Sequence, residues 1–258
     1  MADITPGAAP ATELVHLTVD GAVATITLDS PHNRNALSRQ LVTELADRLG
    51  RAEADESVRV AVVTSADRVF CSGADLSEAS SDGMSVGVQA IVGLQRFIVA
   101  MSKPVVAVVR GPVRAGGIGI VAACDIVVAA EEASFALTEV KLGLTPAVIS
   151  LTVLPRLTSR AAAYACLSGA AFSGAEAVAM GLVTRAVPAA GLDEAAAAMC
   201  AELATGAPQG LRETKALLAR DLLARIDSQA EEMGELSARL FGSDAAREAM
   251  TAFLNRKK

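Results

Sequence analysis

An α/β core followed by a helical region is the fold that this sequence predicts. Three observations point there. Apolar runs that read as buried strands lead repeatedly into a turn and then into helically spaced residues. Two of those turns are rich in glycine, Phe70-Cys71-Ser72-Gly73-Ala74-Asp75-Leu76 and Gly111-Pro112-Val113-Arg114-Ala115-Gly116-Gly117-Ile118-Gly119. After Val148 the strand signals nearly vanish and helical spacing takes over. At 258 residues the chain suits one large domain, or one domain with an appendage.

The elements follow in order. Leu14–Val19 and Ala22–Leu28 flank Asp20-Gly21, the favoured pair for a type I′ turn, and read as a β-hairpin. Asp29 to Asn35 is a polar turn. Ser38 is placed to cap a helix to about Ala54, with Leu41, Val42, Leu45 and Leu49 on one face. Val58–Thr64 is a buried strand that feeds the first glycine turn. Glu78–Gly87, rich in Ser, Gly and acids, reads as a mobile loop. Val88–Met101 has helical spacing, and Pro104–Val109 is a second buried strand before the second glycine turn. A helix over Gly116–Ala123 and a strand over Ile126–Ala129 come next.

The remainder reads as helices over Ser159–Leu167, Ser173–Met180, Leu192–Ala204, Pro208–Leu223, Ser228–Phe241 and Asp244–Phe253. Ser173 with Glu176 forms a capping box, and Gly181 is a good C-terminal stop. One short strand, Leu182–Val187, interrupts them. Apolar residues around Leu236, Leu240, Phe241 and Phe253 fall on more than one helix face, as in a subunit interface or an internal core.

Composition narrows the function. Apolar residues make up 52% of the chain, enough for a substantial core. A formal net charge of −6 argues against nucleic acid as a partner. Cys71, Cys124, Cys166 and Cys200 lack the spacing of a metal or redox site and read as reduced thiols. The first dozen residues lack the pattern of a secretory signal. The longest apolar stretch, Ile118 to Ala130, is broken by Asp125 and is too short for a bilayer. A soluble, cytoplasmic protein is therefore expected, with no membrane partner and no metal.

The glycine turns carry the first chemical reading. Glycine lets backbone approach a ligand closely. The Ala74 amide follows Gly73, and Gly116 opens a helix, where unpaired amides and the helix dipole favour an anion. Together they could hold a carbonyl oxygen as it becomes an enolate. The alternative is two ordinary strand-to-helix turns. Glu139 carries the second reading. Among the apolar neighbours of Phe135-Ala136-Leu137-Thr138-Glu139-Val140, burial would raise its pKa towards the working range. On local sequence alone, an exposed acid beside Lys141 fits better.

Three other chemistries find little support. His16 and His32 lack a nucleophile setting such as G-x-S-x-G. Cys71 has no neighbour that marks it as activated. Gly117-Ile118-Gly119-Ile120-Val121-Ala122 fits a dinucleotide fingerprint, but Gly111 to Gly116 separate it from the strand end.

Four segments in order resemble the crotonase family, the enoyl-CoA hydratase/isomerase superfamily, from about Leu14 onward. Pro31-His32-Asn33-Arg34-Asn35-Ala36-Leu37 is similar to its P-x-x-x-N-A-L segment, and Phe70 to Leu76 to its F-x-x-G-A-D-[LI] turn. Lys103-Pro104-Val105 through Asp125 is similar to its K-P-x-[IV]-A stretch. Ser168-Gly169 through Val187-Pro188 is similar to its T-G…G-L-V segment.

The resemblance implies a spiral of ββα units over 13–190, after a flexible 1–12. It also implies a helical oligomerisation region over 191–258 that builds a homotrimer or homohexamer. The substrate would be an acyl-CoA thioester, with no cofactor beyond the CoA it carries. The oxyanion amides fall on Ala74 and Gly116. Arg34, Ser72, Asp75, Leu76 and Ser77 would line the CoA path. The family's two catalytic glutamates fall on Glu139 and on Gly119, which has no side chain and would leave room for a bulkier acyl group. Hydration of a 2-enoyl-CoA by Glu139 alone is the first expectation. Isomerisation of a 3-enoyl-CoA is the second, and a non-catalytic acyl-CoA scaffold the third.

Overall fold

The computed structural model describes residues 12–75, 78 and 81–255. The N-terminal segment before Thr12, Leu76, Ser77 and the Arg256-Lys257-Lys258 tail lie outside the described residues.

Nine strands are described: β1 (Val15–Asp20), β2 (Val23–Leu28), β3 (Val60–Ser65), β4 (Val105–Val109), β5 (Val113–Arg114), β6 (Ile126–Ala130), β7 (Ser134–Ala136), β8 (Phe172–Ser173) and β9 (Arg185–Val187). They form a six-stranded sheet of order β1-β2-β3-β4-β6-β9 and a three-stranded sheet of order β5-β7-β8. The first sheet is parallel except for the β1–β2 hairpin. Every residue of β4 is buried, which is why Val105 to Val109 shows no alternation: a parallel strand is covered on both faces.

The helices among the described residues are α1 (Arg39–Ala54), α2 (Ser81–Ala100), α3 (Gly116–Ala123), α4 (Ser150–Arg156), α5 (Ser159–Ser168), α6 (Gly174–Met180), α7 (Leu192–Ala204), α8 (Pro208–Phe241) and α9 (Asp244–Asn255). The expected caps are present. The Ser38 hydroxyl accepts from the Leu41 amide at the start of α1, and Ser173 with Glu176 closes a capping box on α6. No helix of the described residues is long and apolar enough to cross a membrane.

Several expectations need correction. The two-residue hairpin loop is Gly21-Ala22, because Asp20 pairs with Val23. Gly21 has φ +53° while Ala22 is not in the positive-φ region, so the turn is not type I′. The expected loop over Glu78–Gly87 becomes helix from Ser81 onward. Once the apolar part of α2 is nucleated, each added residue costs little, so propagation carries through Gly87 and Gly83. The two helices expected around Leu223 and Ser228 are one, α8, of 34 residues and about 51 Å. Nothing between them is a breaker. Helix α4 is not among the expected helices, and Pro155 falls in its last turn. Leu236, Leu240 and Phe241 are half-buried, whereas Leu217 and Leu218 of α8 stand exposed.

Helix α8 is locked to the sheet by a buried lysine. Lys215 is 4% exposed. Its Nζ donates to Ile98 O at 3.0 Å and Lys103 O at 2.8 Å, and pairs with Asp125 Oδ2 at 2.8 Å. Asp125 in turn accepts from the Val105 amide at 2.7 Å. Removing one member of such a pair strands the other charge. Lys215→Ala is therefore expected to lower unfolding free energy by about 3 kcal/mol, read by denaturant titration. A change below about 1 kcal/mol would show the contact to be incidental.

Candidate active site

The two glycine turns are docked on each other. The Phe70 and Cys71 amides donate to Pro112 O at 3.0 and 3.3 Å, and the Arg114 amide donates back to Cys71 O at 2.9 Å. Glycine permits this approach. A Cβ on Gly117 would stand 2.6 Å from Cys71 Cβ, and one on Gly73 would stand 3.2 Å from Ala115 Cβ. Gly73 also has φ +100°, which a side chain would resist. The third participant is Leu37, whose Cδ1 lies 2.8 Å from where a Gly116 Cβ would be.

The two amides read from sequence share one property. Among the described residues, neither Ala74 N–H nor Gly116 N–H donates to a protein acceptor. Both belong to peptide units whose carbonyls are fixed. Gly73 O accepts from the Leu37 amide, and Ala115 O accepts from the Ile118 amide, each at 2.8 Å. A trans peptide is planar, so fixing its oxygen fixes its N–H in the opposite direction. Two unused donors are thus held in set orientations on adjoining turns. Ala115 adds strain to the picture, with φ 45° and ψ −119°. Non-glycine residues avoid that conformation, and it persists because neighbouring bonds hold it. The Ala115 amide donates to Ala136 O at 3.2 Å.

That last bond leads to Glu139. Strands β5 and β7 run parallel, with Arg114 opposite Ala136. Glu139 follows shortly after β7 and opens a short 3-10 turn, Glu139–Leu142. Its Oε2 is buried with no hydrogen-bond partner among the described residues. Burial pushes the carboxyl up from 4.5 to about 7. The reading of an exposed acid beside Lys141 is corrected, because Lys141 Nζ donates to Gly169 O at 2.6 Å instead. Cys166 on α5 is the neighbour that feels the carboxylate: burial, then the Glu139 charge, holds its thiol protonated.

Gly119 does not open space for a larger group. A Cβ there would stand 2.6 Å from Ile149 Cγ2, 3.0 Å from Ile149 Cβ and 3.1 Å from Gln95 Oε1. Ile149 and Gln95 are both buried. The Thr152 hydroxyl lies 2.6 Å from Gln95 Oε1 and 3.2 Å from Gly119 O, so the polar groups there serve one another. The expectation of extra acyl room is corrected on this ground. Gly119→Ala is expected to cost about 1–3 kcal/mol by overpacking. Ile149→Ala combined with it should recover part of that loss in a double-mutant cycle. Strict additivity in denaturant unfolding would refute the contact.

Of the remaining residues named from sequence, Arg34, Ser72 and Asp75 gather beside the first turn, and Leu76 and Ser77 lie outside the described residues. Arg34 is exposed, in the left-handed region at φ 58°. Arg34 O accepts from the Ser72 amide at 3.1 Å, and the Ser72 hydroxyl donates to Asn33 O at 3.0 Å. Asp75 Oδ2 accepts from Asn33 Nδ2 at 3.0 Å. Asn33, Asp75, Asp29, His32 and Glu78 line a cavity of about 540 Å³. Cys71 is no nucleophile, since burial pushes its thiol up to about 12. The Gly117-x-Gly119 pair lies inside α3, not at a strand end, so it is not a dinucleotide turn. Gln95, Ile149 and the Leu37 amide were not singled out from sequence. They reach the site only through tertiary packing.

A model of the family described as enoyl-CoA hydratase/isomerase matches residues 18–258. The chain is 32% identical over 250 residues to a Bacillus subtilis (strain 168) protein named "Probable enoyl-CoA hydratase", covering 95% of this chain and 96% of that one. Among solved structures, an enoyl-CoA hydratase from Mycobacterium avium superposes with a TM-score of 0.90 at 45% identity, over 95% of this chain and 97% of that one. A second, from Mycobacterium avium subsp. paratuberculosis K-10, gives a TM-score of 0.85 at 31% identity, over 94% and 96%.

Proposed function

The chain belongs to the enoyl-CoA hydratase/isomerase family, and on that premise we propose that it hydrates a 2-enoyl-CoA thioester with Glu139 as its single proton carrier. The carboxylate takes a proton from water while the oxygen of that water bonds to the β-carbon. The π electrons move onto the thioester oxygen, and the amides of Ala74 and Gly116 hold the resulting enolate. Glu139 then returns its proton to the α-carbon and the carbonyl re-forms. One group can serve both steps because a carboxyl near pKa 7 is populated in both forms at neutral pH. Arg34, Ser72, Asp75, Leu76 and Ser77 are assigned to the path of the CoA moiety.

The observation that carries this reading is Glu139 Oε2: buried, without a hydrogen-bond partner among the described residues, and close in the chain to the residue that pairs with Ala115. A second reading is favoured by the packing at Gly119. With Ile149 and Gln95 in that space, no second carboxylate fits there, and a lone carboxyl can shuttle a proton between two carbons of a 3-enoyl-CoA. The two are separated by supplying crotonyl-CoA and a 3-enoyl-CoA and following the absorbance of the conjugated thioester. Loss with crotonyl-CoA supports hydration, whereas gain with the 3-enoyl-CoA alone replaces it by isomerisation. Acyl-CoA binding without turnover of either, or of a branched 2-enoyl-CoA, would leave a scaffold.

A further inference from the structure

We infer that Asn35 is a positioning residue for the Ala74 amide, acting through the Leu37–Gly73 hydrogen bond. Residues 33–37 run alongside residues 69–73 and are joined to them at four places. Asn33 O accepts from the Ser72 hydroxyl, Arg34 O from the Ser72 amide, Val69 O from Asn35 Nδ2, and Gly73 O from the Leu37 amide. The last bond fixes the peptide plane that carries Ala74 N–H.

The Asn35 side chain ties this segment both to Ser30 and to Val69. It is 2% exposed. Its Oδ1 accepts from the Ser30 amide at 2.7 Å, and its Nδ2 donates to Val69 O at 2.9 Å. Its own amide donates to Ser30 O at 2.9 Å. The loop from Ser30 to Asn35 is closed on itself and pinned at the base of the glycine turn. The backbone here needs such a pin. Arg34 and Asn35 are consecutive left-handed residues, at φ 58° and 53°, and that conformation is unfavourable for side chains other than Asn or Asp. With the side-chain bonds to Ser30 and Val69 gone, Arg34, which lacks the tolerance of Asn or Gly for these angles, can relax towards ordinary ones, which moves the Leu37 amide off Gly73 O.

The inference rests on the enolate reading for its effect on rate, but its structural half stands alone. Asn35→Gly separates the two, since glycine accepts the left-handed backbone and lacks the side-chain bonds. Hydrogen exchange at the Leu37 amide is expected to speed up at least about tenfold relative to amides of β3 and β4, which report global stability. In steady state with the enoyl-CoA that the wild type turns over, kcat should fall about 10- to 100-fold while KM stays within about twofold, as for a misplaced transition-state donor. Asn35→Asp keeps the acceptor for Ser30 but sets a buried carboxylate oxygen against Val69 O in place of the donor, and should be impaired at least as much as Asn35→Gly. Unchanged Leu37 exchange in Asn35→Gly would overturn the inference. So would a kcat loss matched by loss of folded protein. If the wild type turns over no enoyl-CoA, the proposed function fails, and Leu37 exchange decides the role of Asn35 without it.

Discussion

Glu139→Gln is expected to lower kcat by about 10³-fold while acyl-CoA still binds. The amide keeps the size and the polarity of the side chain but cannot take or give the proton. The same substitution tests the pH behaviour. The ordinary carboxyl value of 4.5 applies to the unfolded chain, and burial raises the folded value to about 7. Between these pH values the folded protein holds a proton that the unfolded chain releases. Stability therefore falls as pH rises through that window, by about 3 kcal/mol in total. Below about pH 4.5 both states are protonated and the contribution is nil. Denaturant unfolding across pH 4–8 should show this decline in the wild type and a flatter curve in Glu139→Gln. The wild-type rate should show an acid limb with a midpoint near 7, because the carboxylate is the form that accepts the first proton. Retained turnover in the variant would remove Glu139 from the reaction.

The parts legible in the sequence were those set by local pattern. Strands β4 and β6 are uninterrupted apolar runs, β3 is apolar up to Thr64, and α1 and α6 carry their own caps, so their positions followed from neighbouring residues. The close approach at the two glycine turns was legible, because it leaves a glycine signature at Gly73, Gly116 and Gly117. The burial of Glu139 was not, since Lys141 beside it suggests solvent. What turns Lys141 away is Gly169 O, at the far end of α5. Strands β5, β7 and β8 have too few residues to show a period and exist only because they find each other. The packing at Gly119 joins α2, α3 and the residue before α4, and no spacing along the chain encodes that meeting.

Ala74→Pro is expected to reduce kcat by about 10²- to 10³-fold, or about 3–4 kcal/mol of transition-state stabilisation. The proposed oxyanion donors are backbone atoms, so truncating side chains leaves them in place. Proline is the substitution that deletes an N–H. At most positions that deletion breaks a bond of the fold and confuses the result. Here Ala74 N–H has no acceptor within the described residues, and the bond at this peptide is made by Gly73 O with Leu37. Gly73 before it, at φ +100°, is already a residue that tolerates unusual angles. The cost to unfolding free energy should stay within about 1 kcal/mol. Ala74→Gly, which keeps the N–H, should remain within a few-fold of wild type and controls for the altered side chain. A folded Ala74→Pro protein with kcat near wild type would show that the thioester oxygen is held elsewhere. The assignment of Gly116 would then lose its partner, because a single amide at a helix start is an ordinary feature of strand-to-helix turns.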